Sequence, residues 1–171
     1  VEVIVRINSV DTDFWKKDLE TILPLKPSLI MPPKSSCAQD VLTVDAYMSQ
    51  LEDRLGFARN TVRLIPLIET ALGVENAYQI ASCTPRVAAI FLGGEDLTAD
   101  LQCKRTKESQ EIEYARSRMV CAARAAGVDV YDTPFTDVND DEGIRIDAEK
   151  AKSLGFTGKS AISPRHVPVI N

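Results

Sequence analysis

Short apolar segments alternate with helical segments along nearly the whole of this chain of 171 residues. The first, Val-Ile-Val-Arg-Ile at 3–7, is rich in β-branched residues and too short for a helix, which is typical of a buried strand. We predict six such strands, at residues 3–7, 28–31, 62–68, 87–92, 128–131 and 160–162. Strands and helices that alternate at this spacing form parallel sheets with crossover helices, so the fold class is α/β. The alternation alone leaves open whether the sheet is doubly wound or closed into a barrel.

Apolar side chains recur at helical spacing between these strands. The clearest apolar face before Gly56, a typical helix end, consists of Val41, Val44, Met48, Leu51 and Leu55. We also predict a helix that Asp11 or Thr12 caps and Pro24 stops, and helices over about 70–81, 109–126 and 147–154. Pro66 lies inside the third predicted strand, where its missing N–H group is unfavourable.

Charge and composition exclude several classes of function. Twenty lysines and arginines against twenty-five aspartates and glutamates give a net charge of −5, which supplies no basic stripe for nucleic acid. No apolar run approaches the roughly 20 residues of a membrane span, and no basic-then-apolar leader opens the chain. The four cysteines are scattered, which argues against zinc sites and disulfides. We therefore expect one cytoplasmic domain that binds neither nucleic acid nor membrane.

Charged side chains follow the predicted strands at their carboxyl ends. They are Arg6, Lys34, Glu69, Glu95 with Asp96, and Asp132. In parallel α/β folds these ends share one face, so residues distant in sequence can converge there. Converging carboxylates with basic groups nearby predict a site for a divalent cation and an anionic substrate, and one or two carboxylates suffice for magnesium.

Each of these residues also has a plainer interpretation. A carboxylate at a strand end is often a helix cap or the partner of a nearby arginine. Glu69 is a stronger candidate, because a charge without a partner at the edge of an apolar run would be costly. Gly93-Gly94 is either a simple turn or a place where backbone N–H groups approach a ligand carboxylate.

Other features favour structural roles. His166, the one histidine, lies in a Pro-rich tail, where a surface or capping role is favoured over catalysis. The acidic run of Asp137, Asp140, Asp141 and Glu142 is interpreted as a solvated loop in preference to a lid. The motifs of serine hydrolases, P-loop proteins and dinucleotide-binding proteins do not occur in the sequence.

Six short motifs occur in an order that resembles one family. They are VRIN at 5–8, PK at 33–34, LIPLIETA at 64–71, LGGEDLTADL at 92–101, YDTP at 131–134 and GFTGKSAISPR at 155–165. Together they resemble the citrate lyase beta subunit-like proteins of the HpcH/HpaI aldolase superfamily, over nearly the whole chain. The resemblance implies a (β/α)8 barrel, magnesium, and cleavage or formation of a carbon–carbon bond next to a carbonyl.

The resemblance also implies roles for individual residues. Glu69 and Asp96 would bind the metal, and Arg6 would hold the substrate carbonyl or carboxylate. Backbone N–H groups from Gly94 through Glu95 to Asp96 would meet the substrate carboxylate. Lys34, Asp132 and Asp137 are weaker candidates, for the thioester side or for structural support.

The chain also departs from the family pattern. Ile162-Ser163-Pro164 stands where family members often have Ile-His-Pro, so a role of that histidine does not transfer. The chain begins with Val1, without an initiator Met, near what would be the third barrel strand. We therefore expect an incomplete barrel of about six βα units that lacks the first two units and the C-terminal tail. The resemblance implies a homotrimer and leaves membership of a larger lyase complex open.

Three functions agree with these residues. The first hypothesis is a magnesium-dependent lyase that cleaves a 3-hydroxyacyl thioester such as citryl-CoA to a 2-oxo acid and acetyl-CoA. The second is a 2-oxo-acid aldolase that uses the same metal site on free hydroxy-oxo acids. The third is a truncated domain that binds a 2-oxo acid or partner proteins without turnover.

Overall fold

Parallel strands form the centre of the protein. The computed structural model describes residues 2–171. Its strands are β1 (Ile4–Arg6), β2 (Leu29–Met31), β3 (Arg63–Leu64), β4 (Leu67–Ile68), β5 (Ala89–Leu92), β6 (Asp129–Asp132) and β7 (Gly158–Lys159). Neighbouring strands pair in parallel, in the orders β1-β2-β3 and β4-β5-β6-β7. The last strand lies at 158–159 and not at the predicted 160–162, whereas the ends of the other predicted strands are confirmed to within two residues.

Pro66 divides the third predicted strand into β3 and β4. Hydrogen bonds on both sides bridge this interruption, because the Ile65 N–H donates to Ile30 O (2.9 Å) and the Phe91 N–H donates to Pro66 O (3.0 Å). The two sheets therefore continue into each other as six strand positions in sequential order. A doubly wound sheet reverses its order at a switch point, whereas a barrel keeps it sequential. The order resolves the alternative in favour of an incomplete (β/α) barrel.

Helices connect successive strands. They are α1 (Trp15–Ile22), α2 (Ala38–Leu55), α3 (Ala71–Glu75), α4 (Ala77–Ser82), α5 (Gly94–Asp100), α6 (Glu113–Ala126), α7 (Asp141–Leu154) and α8 (Val167–Ile170). Gly56 and Gly127 follow α2 and α6 with φ angles of 68° and 73°, left-handed conformations that favour glycine. Within residues 2–171 no helix is both long and apolar enough to cross a membrane.

Two helices differ from their predictions: one begins later than predicted, and the other is divided in two. The first begins at Trp15, because the preceding residues form a turn in which the Thr12 N–H donates to Ser9 O (3.0 Å). The predicted helix over 70–81 is two helices that meet at Asn76. The Asn76 side-chain amide donates to the Ser36 carbonyl at 2.9 Å, which ties this junction to the loop after β2.

Two predictions for the C-terminal part of the chain need correction. The acidic run is only partly a loop: α7 begins at Asp141 instead of about residue 147, because the Asp140 carboxylate caps it by accepting the Gly143 N–H (2.9 Å). His166 is fully buried in a 3-10 turn at 164–166, so the surface role expected for it is wrong.

The two faces of the sheet bury different sets of side chains. The larger cluster fills the layer between sheet and helices and includes Val41, Val44 and Met48 of α2. The smaller one contains Leu29, Ile65 and Ala89, with the partly buried Met31, Phe91 and Tyr131 packed against it. Because side chains alternate between the faces of a strand, this second cluster is the inner face of the barrel. It forms the floor beneath the polar side chains described next.

Candidate active site

A cavity of about 240 Å³ opens at the carboxyl ends of the strands. It is lined by Arg6, Met31, Leu67, Glu69, Phe91, Gly93, Gly94, Glu95, Asp96, Thr133, Pro134 and Ser160. The residues come from the ends of β1, β2, β4, β5, β6 and β7. All five of the predicted site residues, Arg6, Glu69, Gly94, Glu95 and Asp96, are therefore brought to one place, where active sites of (β/α) barrels lie.

Glu69 follows β4 and is almost completely buried, with 4% of its surface exposed. Its Oε1 accepts the backbone N–H of Lys34 at 2.9 Å. The pKa of Glu69 is raised to about 7, chiefly by burial and also by the nearby Asp96 carboxylate, against the lowering effects of the Lys34 N–H and of Arg6. Two carboxylates in such proximity repel each other unless a proton or a cation lies between them.

Gly93 makes room for the Glu69 carboxylate. A Cβ atom at position 93 would lie 2.7 Å from Glu69 Cβ and 2.8 Å from Glu69 Oε2, closer than real Cβ contacts. The φ angle of Gly93 is −97°, which any residue adopts, so the requirement comes from space alone. The Gly93-Gly94 pair is therefore more than a turn, because its first glycine admits a carboxylate side chain.

Asp96 and Glu95 lie in the first turn of α5 and point in different directions. Asp96 is exposed and lines the same cavity as Glu69, and its carboxylate raises the pKa of Glu69. The Glu95 carboxylate instead pairs with Arg105 at 3.1 Å, and 55% of its side chain is exposed. N–H groups of a first helical turn lack partners within the helix, so those of Glu95 and Asp96 are suited to an anion. The Gly94 N–H is already used, because it donates to Thr133 Oγ1 at 3.0 Å.

Arg6 ends β1 at the rim of the cavity. Its side chain is exposed, and within residues 2–171 no hydrogen bond or ion pair engages its guanidinium group. Its charge reaches Glu69, whose pKa it lowers. A guanidinium group without a protein partner beside two carboxylates is suited to hold a carboxylate or an oxyanion of a ligand.

The side chains of the three weaker candidates, Lys34, Asp132 and Asp137, do not line the cavity. Asp132 is completely buried in ion pairs with Arg116 and Lys159 (both 2.8 Å), which is structural support. Asp137 pairs with Lys107 at 2.7 Å in a solvent-exposed loop. Lys34 exposes its side chain and contributes its backbone N–H to Glu69.

Sequence reasoning missed some lining residues that carry no charge. Thr133 is fully buried and binds the Gly94 N–H, and Ser160 adds a second hydroxyl to the wall. The charged residue of the YDTP motif is Asp132, but the residue of this motif that follows it, Thr133, is the one that lines the cavity. Their participation depends on contacts between strands that no local pattern reveals.

The donor set of the cavity fits a hard divalent cation. Two carboxylates face each other, and the residues from 2 to 171 hold no group of three or more His, Cys, Asp or Glu that would form a protein-only cage. Magnesium prefers oxygen ligands and usually retains several waters, so one or two carboxylates are enough. Zinc usually has three or four protein ligands.

Comparisons with known proteins agree with this geometry. The family described as HpcH/HpaI aldolase/citrate lyase matches residues 1–164. The chain belongs to this family. The citrate lyase subunit beta of Leuconostoc mesenteroides subsp. cremoris is 38% identical over 170 residues, which are 99% of this chain and 56% of that relative. The L-malyl-CoA/beta-methylmalyl-CoA lyase of Cereibacter sphaeroides is 35% identical over 187 residues, covering 98% of this chain and 58% of that one.

A solved structure of similar fold carries ligands. It is the citrate lyase beta subunit of M. tuberculosis complexed with oxaloacetate and magnesium, with a TM-score of 0.82, 28% identity, and coverage of 98% of this chain and 70% of that one. This chain spans between 56% and 59% of the length of the citrate lyase beta subunits that it matches. The family resemblance and the barrel-type fold that the sequence predicts are thus both confirmed.

Proposed function

We propose that this protein contributes the metal and oxo-acid site of a magnesium-dependent carbon–carbon lyase. Its substrate would be a 3-hydroxyacyl-CoA thioester of the citryl-CoA kind, cleaved to a 2-oxo acid and acetyl-CoA. The observation that carries the proposal is the meeting of two carboxylates in one cavity, the buried Glu69 and the exposed Asp96, beside the unpaired Arg6. Relatives named as citrate lyase and malyl-CoA lyase subunits, and a neighbour bound to oxaloacetate and magnesium, support it.

Glu69 and Asp96 would hold the magnesium ion. Their charges, which repel each other without a cation, would be neutralised by it, and the Lys34 N–H keeps Glu69 Oε1 oriented (2.9 Å). Bound magnesium would act as a Lewis acid and orient the oxo acid. The chain's own residues would bind and orient the substrate: Arg6 would stabilise the oxygen on which negative charge develops, and the first turn of α5 would offer N–H groups to the substrate carboxylate.

The cleavage is a retro-Claisen reaction. A base removes the proton of the 3-hydroxyl, the C–O bond becomes a carbonyl, and the adjacent carbon–carbon bond breaks. Its electron pair enters the thioester as an enolate, which takes up a proton to give acetyl-CoA. Removing a donor that stabilises developing charge typically lowers kcat by 10²–10³-fold. We expect a loss of about that size for Arg6→Ala, with magnesium affinity largely retained because Arg6 is not a ligand.

The test is calorimetric titration of the protein with magnesium, followed by oxaloacetate. Glu69→Gln should abolish magnesium binding, and therefore activity, while the protein stays folded. The matched control is Glu149→Gln, which removes the charge of a 64% exposed glutamate that pairs with Arg145 and should bind magnesium normally. Unchanged magnesium affinity in Glu69→Gln would refute the metal site.

Substrate assays then separate the remaining possibilities. Cleavage of citryl-CoA or malyl-CoA without cleavage of free hydroxy-oxo acids supports the thioester lyase, and the reverse supports the 2-oxo-acid aldolase. Binding of magnesium and oxaloacetate with no turnover of either class indicates a binding domain. A single domain over residues 1–171, a homotrimer and membership of a larger lyase complex stay predictions, which limited proteolysis and the mass of the protein in solution test.

A further inference from the structure

Thr133 is an uncharged residue that touches the start of the helix carrying Asp96. It follows β6, is fully buried, and lines the cavity. Its Oγ1 accepts the N–H of Gly94, the first residue of α5, at 3.0 Å. This N–H is one of those that a helix leaves without an internal partner. The cap of α5 therefore comes from a residue 39 positions further along the chain, at the end of the next strand.

The contact between Thr133 and Gly94 is tight. A Cβ atom at position 94 would lie 2.7 Å from Thr133 Oγ1 and 3.1 Å from Thr133 Cγ2, so only glycine fits without a shift. Gly93, the residue before, is equally close to Glu69. The beginning of α5 is thus held between the metal-site glutamate on one side and Thr133 on the other.

Buried ion pairs hold Thr133 itself in place. The carboxylate of Asp132, its neighbour in the chain, accepts hydrogen bonds from Arg116 Nε and Nη2 (3.0 and 2.8 Å). Lys159 Nζ donates to both Asp132 Oδ2 and the Thr133 carbonyl, at 2.8 Å each. These side chains are almost completely excluded from solvent, so they fix the end of β6 against α6 and β7. The Thr133 hydroxyl has a rigid support.

We propose that Thr133 is a positioning residue of the metal site: its hydroxyl oxygen anchors the Gly94 N–H and so determines where the Asp96 carboxylate lies opposite Glu69. This inference rests on the proposed function. Asp96 is two residues after Gly94 in the same helical turn, so a shift of the helix start displaces its carboxylate. Magnesium requires near-ideal octahedral geometry, and loss of such outer partners typically weakens metal binding 10–100-fold.

The test compares three variants by magnesium titration and by amide hydrogen exchange at Gly94. Thr133→Val keeps the shape but removes the hydroxyl, and should weaken magnesium binding about tenfold or more. Thr133→Ser keeps the hydroxyl and should restore wild-type affinity. The control is Thr157→Val, which removes an equivalent hydroxyl that accepts the Val130 N–H at 3.0 Å and should leave magnesium affinity unchanged.

The exchange measurement separates this inference from the metal assignment. In the metal-free protein the Gly94 amide should be protected in wild type and Thr133→Ser, and exchange faster in Thr133→Val. If wild type binds no magnesium, the proposed metal site is wrong, and the exchange data still decide whether the hydroxyl anchors Gly94. An unprotected Gly94 amide in wild type would overturn the inference without any variant. So would wild-type magnesium affinity in Thr133→Val, or equal losses in the Val and Ser variants.

Discussion

Gly93→Ala should disable the proposed metal site through a single methyl group. The new Cβ would lie 2.7 Å from Glu69 Cβ and 2.8 Å from Glu69 Oε2, whereas ordinary contact begins at 3.4 Å. One of the two groups must therefore move by roughly 0.7 Å. Because Mg–O distances are held near 2.0–2.1 Å, a shift of this size removes the alignment of Glu69 with Asp96, and we expect magnesium affinity to fall about 10–100-fold.

The assay is calorimetric titration with magnesium, combined with urea unfolding in its absence. Overpacking of this kind costs about 1–3 kcal/mol, so Gly93→Ala should remain folded at low temperature. The control is Gly56→Ala at the end of α2, where φ is +68° and a Cβ would have nothing within 4 Å. It should cost about 1–2 kcal/mol through backbone strain and leave magnesium affinity unchanged. Wild-type affinity in Gly93→Ala would refute the explanation of the glycine.

Two further predictions concern pH and the buried ion pairs. Because the pKa of Glu69 is raised to about 7, protons compete with magnesium below that pH. Magnesium affinity should therefore fall by up to about tenfold per pH unit in titrations from pH 7 to 5. A magnesium affinity that does not change over this range would contradict the raised pKa. Without metal, the folded protein holds the additional proton between the ordinary carboxyl pKa and about 7, so this group's contribution to stability should decrease as pH rises through that window. Arg116→Met should lower the free energy of unfolding by roughly 3–5 kcal/mol in urea unfolding, because it leaves the buried Asp132 with fewer partners. The control is Arg145→Met, which breaks only exposed ion pairs and should change the free energy of unfolding by about 1 kcal/mol or less.

Much of the fold follows from local patterns. The β-branched runs predict the strands, and α2 and α6 follow from apolar residues at helical spacing that stop at Gly56 and Gly127. Pro66 is correctly seen as a disturbance, but its consequence depends on the hydrogen bonds that neighbouring strands supply around it. The early start of α7 depends on one side-chain cap, Asp140, whose conformation the sequence does not specify.

The candidate site, like the fold, could be predicted only in part from the sequence. Charges at strand ends, together with the family motifs, bring Arg6, Glu69 and Asp96 to attention, because parallel strands place their ends on one face. Thr133 has no such signal: a neutral hydroxyl is common, and its partner Gly94 lies 39 residues away. The fully buried Arg116 is equally unpredictable, since its partners come from β6 and α7.

The central claim is that Glu69 and Asp96 share one divalent cation within reach of Arg6. A crystal of the protein soaked with manganese and oxaloacetate tests it most directly, because manganese replaces magnesium at oxygen sites and can be located by its anomalous scattering. We expect one anomalous peak between the two carboxylates, with an oxaloacetate carboxylate or carbonyl oxygen facing the Arg6 guanidinium group. A peak elsewhere, or an oxaloacetate bound away from Arg6 with no metal between Glu69 and Asp96, would contradict the account.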